Sequence, residues 1–210
     1  MKVLFVPAKK SVFISDNLIK RLSKKLPRRI AIFSTIQFQD FIKKFSLILK
    51  DKQVFISENP VLGCKVTHIT KYEDKVDAFL YIGSGNFHPL SLALKLKKEK
   101  EIFIFNPNTL QFSEFDWTLV GKIKAREKAA RIKFLSSDKI GVLVSIKSGQ
   151  ERLKEALKLK INLEERKRAY LFIFDEFHKE QLENWPNLAW VNTACPGLAQ
   201  DFCSLNIENL

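Results

Sequence analysis

A chain of 210 residues, 46% hydrophobic and 28% charged, is long enough for one large or two small globular domains with a real core, which excludes a disordered or fibrous class. No apolar run approaches the roughly 20 residues that span a bilayer, and three cysteines, Cys64, Cys195 and Cys203, are too few and too scattered for a disulfide framework; thiols or metal ligands in a reduced compartment are expected. The formal charge of +13 favours acidic partners or nucleic acid through its long-range field, but no RNA-binding aromatic motif, zinc finger or recognition helix accompanies it.

The opening Met1-Lys2-Val3-Leu4-Phe5-Val6 reads as a strand and lacks a signal peptide's cleavage site, so the expected location is the cytoplasm, with no membrane association. Apolar runs rich in Val, Ile and Phe then alternate with segments of helical period, the pattern of a parallel sheet covered by helices on both faces. Strands are expected over 2–7, 29–34, 53–57, 78–82 and 101–106 in the first half, and over 139–145, 169–174 and 188–192 in the second. Between them, Phe38, Phe41, Ile42, Phe45 and Ile48 recur at helical spacing, as do Leu153, Ala156, Leu157 and Ile161, and each stripe should lie against a sheet. Lys95, Lys97, Lys98 and Lys100, and Lys154, Lys158 and Lys160, are read as solvated faces of helices rather than a nucleic-acid patch.

The two halves share an order, a β-α-β pair followed by a cysteine, which points to an α/β protein made of two duplicated small parallel-sheet domains. Asn106-Pro107-Asn108 and the stretch 111–116 form a natural break, giving a first domain of residues 1–112 and a second of 113–210. A helix over about 117–135, with Asp116 as its N-cap, opens the second.

Ligands of open parallel sheets bind at the carboxyl ends of the strands, and the polar and glycine-containing segments fall there: Ser34-Thr35-Ile36-Gln37, Gly83-Ser84-Gly85-Asn86-Phe87-His88-Pro89, Ser145-Ile146-Lys147-Ser148-Gly149-Gln150 and Asn192-Thr193-Ala194-Cys195-Pro196. Gly83-Ser84-Gly85 serves a tight strand-to-helix turn and an anion cradle equally well; it lacks both the third glycine of a dinucleotide fingerprint and a Walker lysine. The turn would aim His88 into the same cleft, in a structural or an acid-base role, whereas His68 and His178 sit among charges. Cys64 and Cys195 occupy matching places in the two halves on this reading. Two thiolates at strand ends suit one soft metal or an iron-sulfur cluster, although two ligands do not hold a cluster.

Three of these segments, Val61-Leu62-Gly63-Cys64, the stretch from Asp77 through Gly83-Ser84-Gly85-Asn86-Phe87-His88-Pro89, and Val191-Asn192-Thr193-Ala194-Cys195-Pro196, resemble in order and spacing the second- and third-domain motifs of the 2-(3-amino-3-carboxypropyl)histidine synthases of diphthamide biosynthesis, archaeal type. The resemblance implies a transferase of three domains, each giving one cysteine to a 4Fe-4S cluster that binds S-adenosylmethionine. Reductive cleavage then gives a 3-amino-3-carboxypropyl radical that adds to a histidine of translation elongation factor 2. By position, Cys64 and Cys195 are the implied cluster ligands, and Gln37, Gly83, Ser84, Gly85, His88, Ser145 and Gln150 the implied S-adenosylmethionine contacts. The sequence departs from the family at Ser84, usually Asp, and Gly197, usually Arg, and has no counterpart of the first domain. The expectation is therefore a split enzyme completed by a separate first-domain protein, in a homo- or hetero-oligomer. The alternatives are an accessory or scaffold subunit that has lost the cluster, a shortened enzyme using Cys203 as third ligand, and a basic nucleic-acid-binding protein.

Overall fold

The structure, a computed structural model, describes Leu4, Val6 and residues 8–63 and 65–210. The strand expected at 2–7 falls largely, and Cys64 wholly, outside the described residues. The chain divides into two compact units, Met1–Val120 and Gly121–Leu210, each an α/β layer structure in its own right.

In the first unit, strands β1 (Arg29–Ser34), β2 (Gln53–Ile56), β3 (Ala78–Ile82) and β4 (Glu101–Asn106) run parallel, and β5 (Gln111–Glu114) returns antiparallel to β4, in the order β2-β1-β3-β4-β5. Every side chain of β3 is buried, as expected of a central parallel strand covered on both faces. Helices α1 (Asp16–Ser23) and α2 (Gln39–Ile48) cover one face, where Ile19, Leu22, Ile42 and Phe45 meet Ile30, Ile32, Leu80 and Phe105. α1 begins because the Ser15 hydroxyl accepts the N–H of Leu18. Helices α3 (Thr67–Thr70) and α4 (Phe87–Ala93) connect β2 to β3 and β3 to β4. The alternate side chains Phe33 and Tyr81 pack ring to ring at 5.2 Å, and Tyr81 in turn stacks on His88 of α4 at 5.6 Å.

Lys95, Lys97, Lys98 and Lys100 are not on a helix, because α4 ends at Ala93. The buried Glu73 carboxylate accepts the backbone N–H groups of Lys97 (2.8 Å) and Lys98 (2.9 Å) and turns the chain toward β4 instead. The break expected near residue 112 falls inside β5. Leu110, at φ 58°, turns β5 back along β4, so the residues up to 120 pack with the first unit.

The second unit opens within helix α5 (Thr118–Ser136), whose entry is capped by the Asp116 carboxylate accepting the N–H of Thr118 at 2.9 Å. Strands β6 (Lys139–Ser145), β7 (Arg168–Phe174), β8 (Ala189–Asn192) and β9 (Leu205–Asn206), all parallel, lie in the order β7-β6-β8-β9. Helix α6 (Leu153–Glu164) and Phe134 of α5 cover one face through Ile140, Val142, Val144 and Val191. The other face is more thinly covered. Leu143 and Trp190 are closed over by Phe172, Phe177 and Leu182 of the 3₁₀ segment Lys179–Asn184 and the chain around it. Strand β7 has a neighbour on one side only, and its Ile173 is 59% exposed. Among the described residues no helix is long and apolar enough to cross a membrane.

The strand orders are the same in outline, so β1, β2, β3 and β4 correspond to β6, β7, β8 and β9. Both sheets reverse direction of growth at the same place, between β1 and β3 and between β6 and β8. That corrects one expectation from the sequence. Cys64 lies in the connection after β2, whereas Cys195 follows β8, the counterpart of β3, so the two cysteines do not occupy matching places. Read along the sequence, β-α-β order hides which strands are neighbours; the pairing reveals it.

Candidate functional site

In the first unit the carboxyl ends of β1 and β3 lie side by side, with Ser34 opposite Ile82. This is the point where a parallel sheet opens a crevice. Ser34 is fully buried, and its hydroxyl lies 3.1 Å from Gln39 Oε1. Gln39 Nε2 donates onward to the carbonyls of Ser57 (3.3 Å) and Glu58 (2.9 Å), and the Val61 N–H donates to Ser34 O at 2.8 Å. A bridge between Thr35 and Val61 completes the tie. The segment entering Cys64 is thus fastened to the end of β1, by Gln39 rather than by Gln37, whose side chain is exposed. Thr35 Oγ1 is buried at the same strand end, with no hydrogen-bond partner among the described residues.

The loop after β3 shows why it carries two glycines. Gly83 needs space: a Cβ there would stand 2.3 Å from the Tyr81 hydroxyl and 2.5 Å from its ring. Gly85 needs conformation, at φ 72°. Ser84, Gly85 and Asn86 are exposed, and His88 is half-buried behind them. The His88 Nδ1 lies 3.3 Å from the Tyr81 hydroxyl. Burial pushes the Tyr81 hydroxyl up to about 12 and lowers the His88 pKa, so both groups are neutral near pH 7. In the tautomer with Nδ1 unprotonated, Tyr81 donates to Nδ1 and the imidazole proton sits on Nε2 as a donor.

In the second unit the corresponding ends are those of β6 and β8. Ser145, the counterpart of Ser34, is buried, and its hydroxyl accepts the Lys147 N–H at 3.1 Å. The Gln150 N–H donates to Lys147 O at 3.0 Å, and its side chain is half-buried. Asn192, Thr193 and Ala194 are buried. Cys195, half-buried, caps the 3₁₀ segment Pro196–Gln200. Cys203 is exposed, precedes β9, and has its sulfur 3.9 Å from the Arg126 carbonyl of α5.

Each unit therefore gathers its own residues at its own carboxyl-end loops: Gln37, Gly83, Ser84, Gly85 and His88 in the first, Ser145, Gln150 and Cys195 in the second. Sequence reasoning missed Thr35, Gln39 and Tyr81, and also Asn192 and Asn206. Their signal is geometric, a polar atom packed next to a strand end, and only Thr35, Tyr81 and Asn192 fell inside segments that the sequence singled out. Two cavities of about 430 and 480 Å³ lie beside β7, walled by Tyr170, Phe172, Phe177 and Trp185. None of the residues gathered at the carboxyl-end loops lines them, and they hold no nucleophile or acid-base pair, so the polar strand ends are the better candidate site.

A soft metal or cluster asks for thiolates, and a thiol at Cys195, part-exposed at a strand end, suits one. For S-adenosylmethionine, the exposed backbone of Ser84, Gly85 and Asn86 after β3 suits a small polar ligand.

The diphthamide synthesis protein family model, Diphthamide_syn, matches residues 1–204. The 2-(3-amino-3-carboxypropyl)histidine synthase of Pyrococcus horikoshii is 31% identical over 94% of this chain and 59% of its own length. That of Methanocaldococcus jannaschii is 29% identical over 96% and 57%. Among solved structures, the crystal structure of Dph2 from Pyrococcus horikoshii matches with a TM-score of 0.73 at 30% identity, covering 96% of this chain and 62% of that one. The structure of the same protein with a 4Fe-4S cluster matches with a TM-score of 0.71, covering 90% and 59%. The chain thus spans between half and two thirds of the length of each of these relatives. With a family model covering nearly its whole length and a shared fold, this chain belongs to the diphthamide synthesis protein family.

Proposed function

We propose that this chain is a component of an iron-sulfur transferase that moves a 3-amino-3-carboxypropyl group from S-adenosylmethionine to a histidine of translation elongation factor 2, in the cytoplasm. Cys64 and Cys195 give two thiolates to a 4Fe-4S cluster, and a third comes from outside these 210 residues, on a first-domain partner. The observation that carries this reading is the likeness to Dph2 with its 4Fe-4S cluster, combined with the position of Cys195 at a carboxyl-end loop. The cluster, when bound, supplies the electron that cleaves the bond between sulfur and the γ-carbon. The chain's own residues bind and orient. Gly83 starts the turn against Tyr81, the exposed Ser84, Gly85 and Asn86 receive the ligand, and His88 holds its proton on Nε2 as a donor. Gln37 borders the same strand ends in the first unit, and Ser145 and Gln150 border those of the second.

Anaerobic reconstitution tests this with and without a separately supplied first-domain protein. Iron uptake with a four-iron absorption band is expected only with the partner, and it should be lost in Cys64→Ala and in Cys195→Ala. An assembly that never takes up iron refutes the catalytic reading. A second reading, an accessory subunit without a cluster, is favoured by Ser84 and Gly197 where the family resemblance leads one to expect Asp and Arg. It predicts binding to the partner that neither cysteine substitution disturbs.

A further inference from the structure

We propose that Asn206, acting through Asn192, is a positioning residue that fixes the loop carrying the Cys195 thiol; its service to a cluster rests on the function proposed above. Asn192 is the last residue of β8 and is 1% exposed. Its Oδ1 accepts the N–H of Ala194 at 3.0 Å, and its Nδ2 donates to the carbonyl of Cys195 at 2.9 Å. One amide therefore grips the backbone on both sides of the Ala194–Cys195 peptide. Nδ2 also donates to Oδ1 of Asn206 at 2.8 Å, and Asn206 Nδ2 lies 3.4 Å from the Pro196 carbonyl. The second amide orients the first and reaches the residue after the cysteine.

The remaining loop residue is held separately. Thr193 is fully buried, and both its N–H (3.1 Å) and its hydroxyl (2.7 Å) donate to the Leu143 carbonyl of β6. Every residue from 192 to 194 is thus fixed by a hydrogen bond, which holds in one place the backbone that carries the thiol.

Strand β9 makes sense in this light. It contributes two residues, Leu205 opposite Val191 and Asn206 opposite Asn192. Leu205 fills the core at 1% exposure, and Asn206 supplies the amide. The first unit makes the contrast, since the loop after the equivalent strand β3 is exposed at Ser84, Gly85 and Asn86. One carboxyl-end loop is built open and the other is built stiff, and the stiff one carries the thiol.

The test is the rate at which iodoacetamide alkylates Cys195 in the full chain, followed by peptide mass with Cys203 as the internal reference. Asn206→Leu removes the acceptor for Asn192 and should speed Cys195 roughly three- to tenfold, the range opened by loss of one hydrogen bond, with Cys203 unchanged. Asn206→Asp keeps an acceptor facing Asn192 Nδ2, gives up only the longer contact to the Pro196 carbonyl, and should bring the rate back to within about twofold of wild type. In the reconstituted assembly Asn206→Leu should also shift the g-values of the reduced cluster, while Asn206→Asp should not. The native chain gives a readout that does not depend on any variant folding: the Ala194 amide should exchange with deuterium slowly. An unchanged Cys195 rate in folded Asn206→Leu, or an Ala194 amide that exchanges as fast as that of Ser84, overturns the positioning role whether or not iron binds. If Cys195→Ala leaves iron uptake intact while Asn206→Leu still speeds alkylation, the clamp stands and the cluster reading fails.

Discussion

Replacing Gly83 with Ala should destabilise the first unit by an amount that the packing allows to be worked out. The added Cβ would lie 2.3 Å from the Tyr81 hydroxyl oxygen, 2.5 Å from Cζ and 3.0 Å from Cε1. Ordinary contact would require the ring to retreat by about 1 Å, and a densely packed interior has little give over that distance. The ring has nowhere to go. Tyr81 is 0% exposed and lies between Phe33, 5.2 Å away, and His88, 5.6 Å away. Forced overpacking of this kind costs about 1–3 kcal/mol, and at about 2–4 °C per kcal/mol a mid-range penalty lowers the melting midpoint by roughly 4–8 °C. Thermal unfolding followed by circular dichroism reads this directly, with Ser84→Ala, one exposed residue on, as the unaffected control. Tyr81→Leu removes the obstructing ring, so in the double variant the two penalties should fall short of their sum by more than about 0.5 kcal/mol. A Gly83→Ala midpoint within 1 °C of wild type, or strict additivity with Tyr81→Leu, refutes the claim that glycine is required here for space.

Alkaline stability should bend at Tyr81. In the unfolded chain the phenol ionises near 10, and in the folded unit near about 12, so between those values the unfolded state gives up a proton that the folded state keeps. Stability is fully present below pH 10 and falls as pH rises through the window, by on the order of 2–3 kcal/mol; Tyr81→Phe should lack that arm of the curve. His88 works at the other end. Its folded pKa is lowered by burial, so stability should decline as pH falls below the ordinary imidazole value near 6.5, and His88→Gln should flatten the decline in a melting series. Glu73→Ala strips the acceptor from the N–H groups of Lys97 and Lys98 and should cost about 1–3 kcal/mol, with faster hydrogen exchange at those two amides. Leu110→Asn should move the other way. A side chain at φ 58° carries strain of about 1 kcal/mol that Asn tolerates better, so the melting midpoint should rise by a few degrees; no gain would place the strain elsewhere.

How far the sequence spoke depended on whether the determinant was local. The runs at 29–34, 78–82, 101–106 and 139–145 became β1, β3, β4 and β6 with the expected bounds, because a strand covered on both faces must be apolar throughout and says so in its composition. The 153–161 stripe was right only in part: Leu153 and Ala156 lie on the packed side of α6, but Leu157 and Ile161 are 42% and 65% exposed, and Leu159 and Leu163 complete that side instead. Strand β5, read from sequence as a break, has one half-buried aromatic, Phe112, and turns at Leu110 rather than at an Asn-Gly pair. Two-residue β9 carries no periodicity at all. At the candidate site, glycine and cysteine were visible as residue types, whereas Gln39, Tyr81 and Asn206 act through partners 5 to 18 positions away in sequence. The order β2-β1-β3 likewise depends on crossovers, which is why the cysteines looked equivalent and are not.

Among the strand pairs, β4 with β5 alone is antiparallel and joined by a short turn; the rest await a crossover, as Ile30 does before it meets Ala78. Closing such long loops before any pairing is gained slows folding. In the second unit the burden falls last on Asn206. As this polypeptide leaves the ribosome, the thiol at 195 emerges well ahead of the amide that restrains it, so the nascent chain passes through a stage in which its sulfur is present but still unaimed.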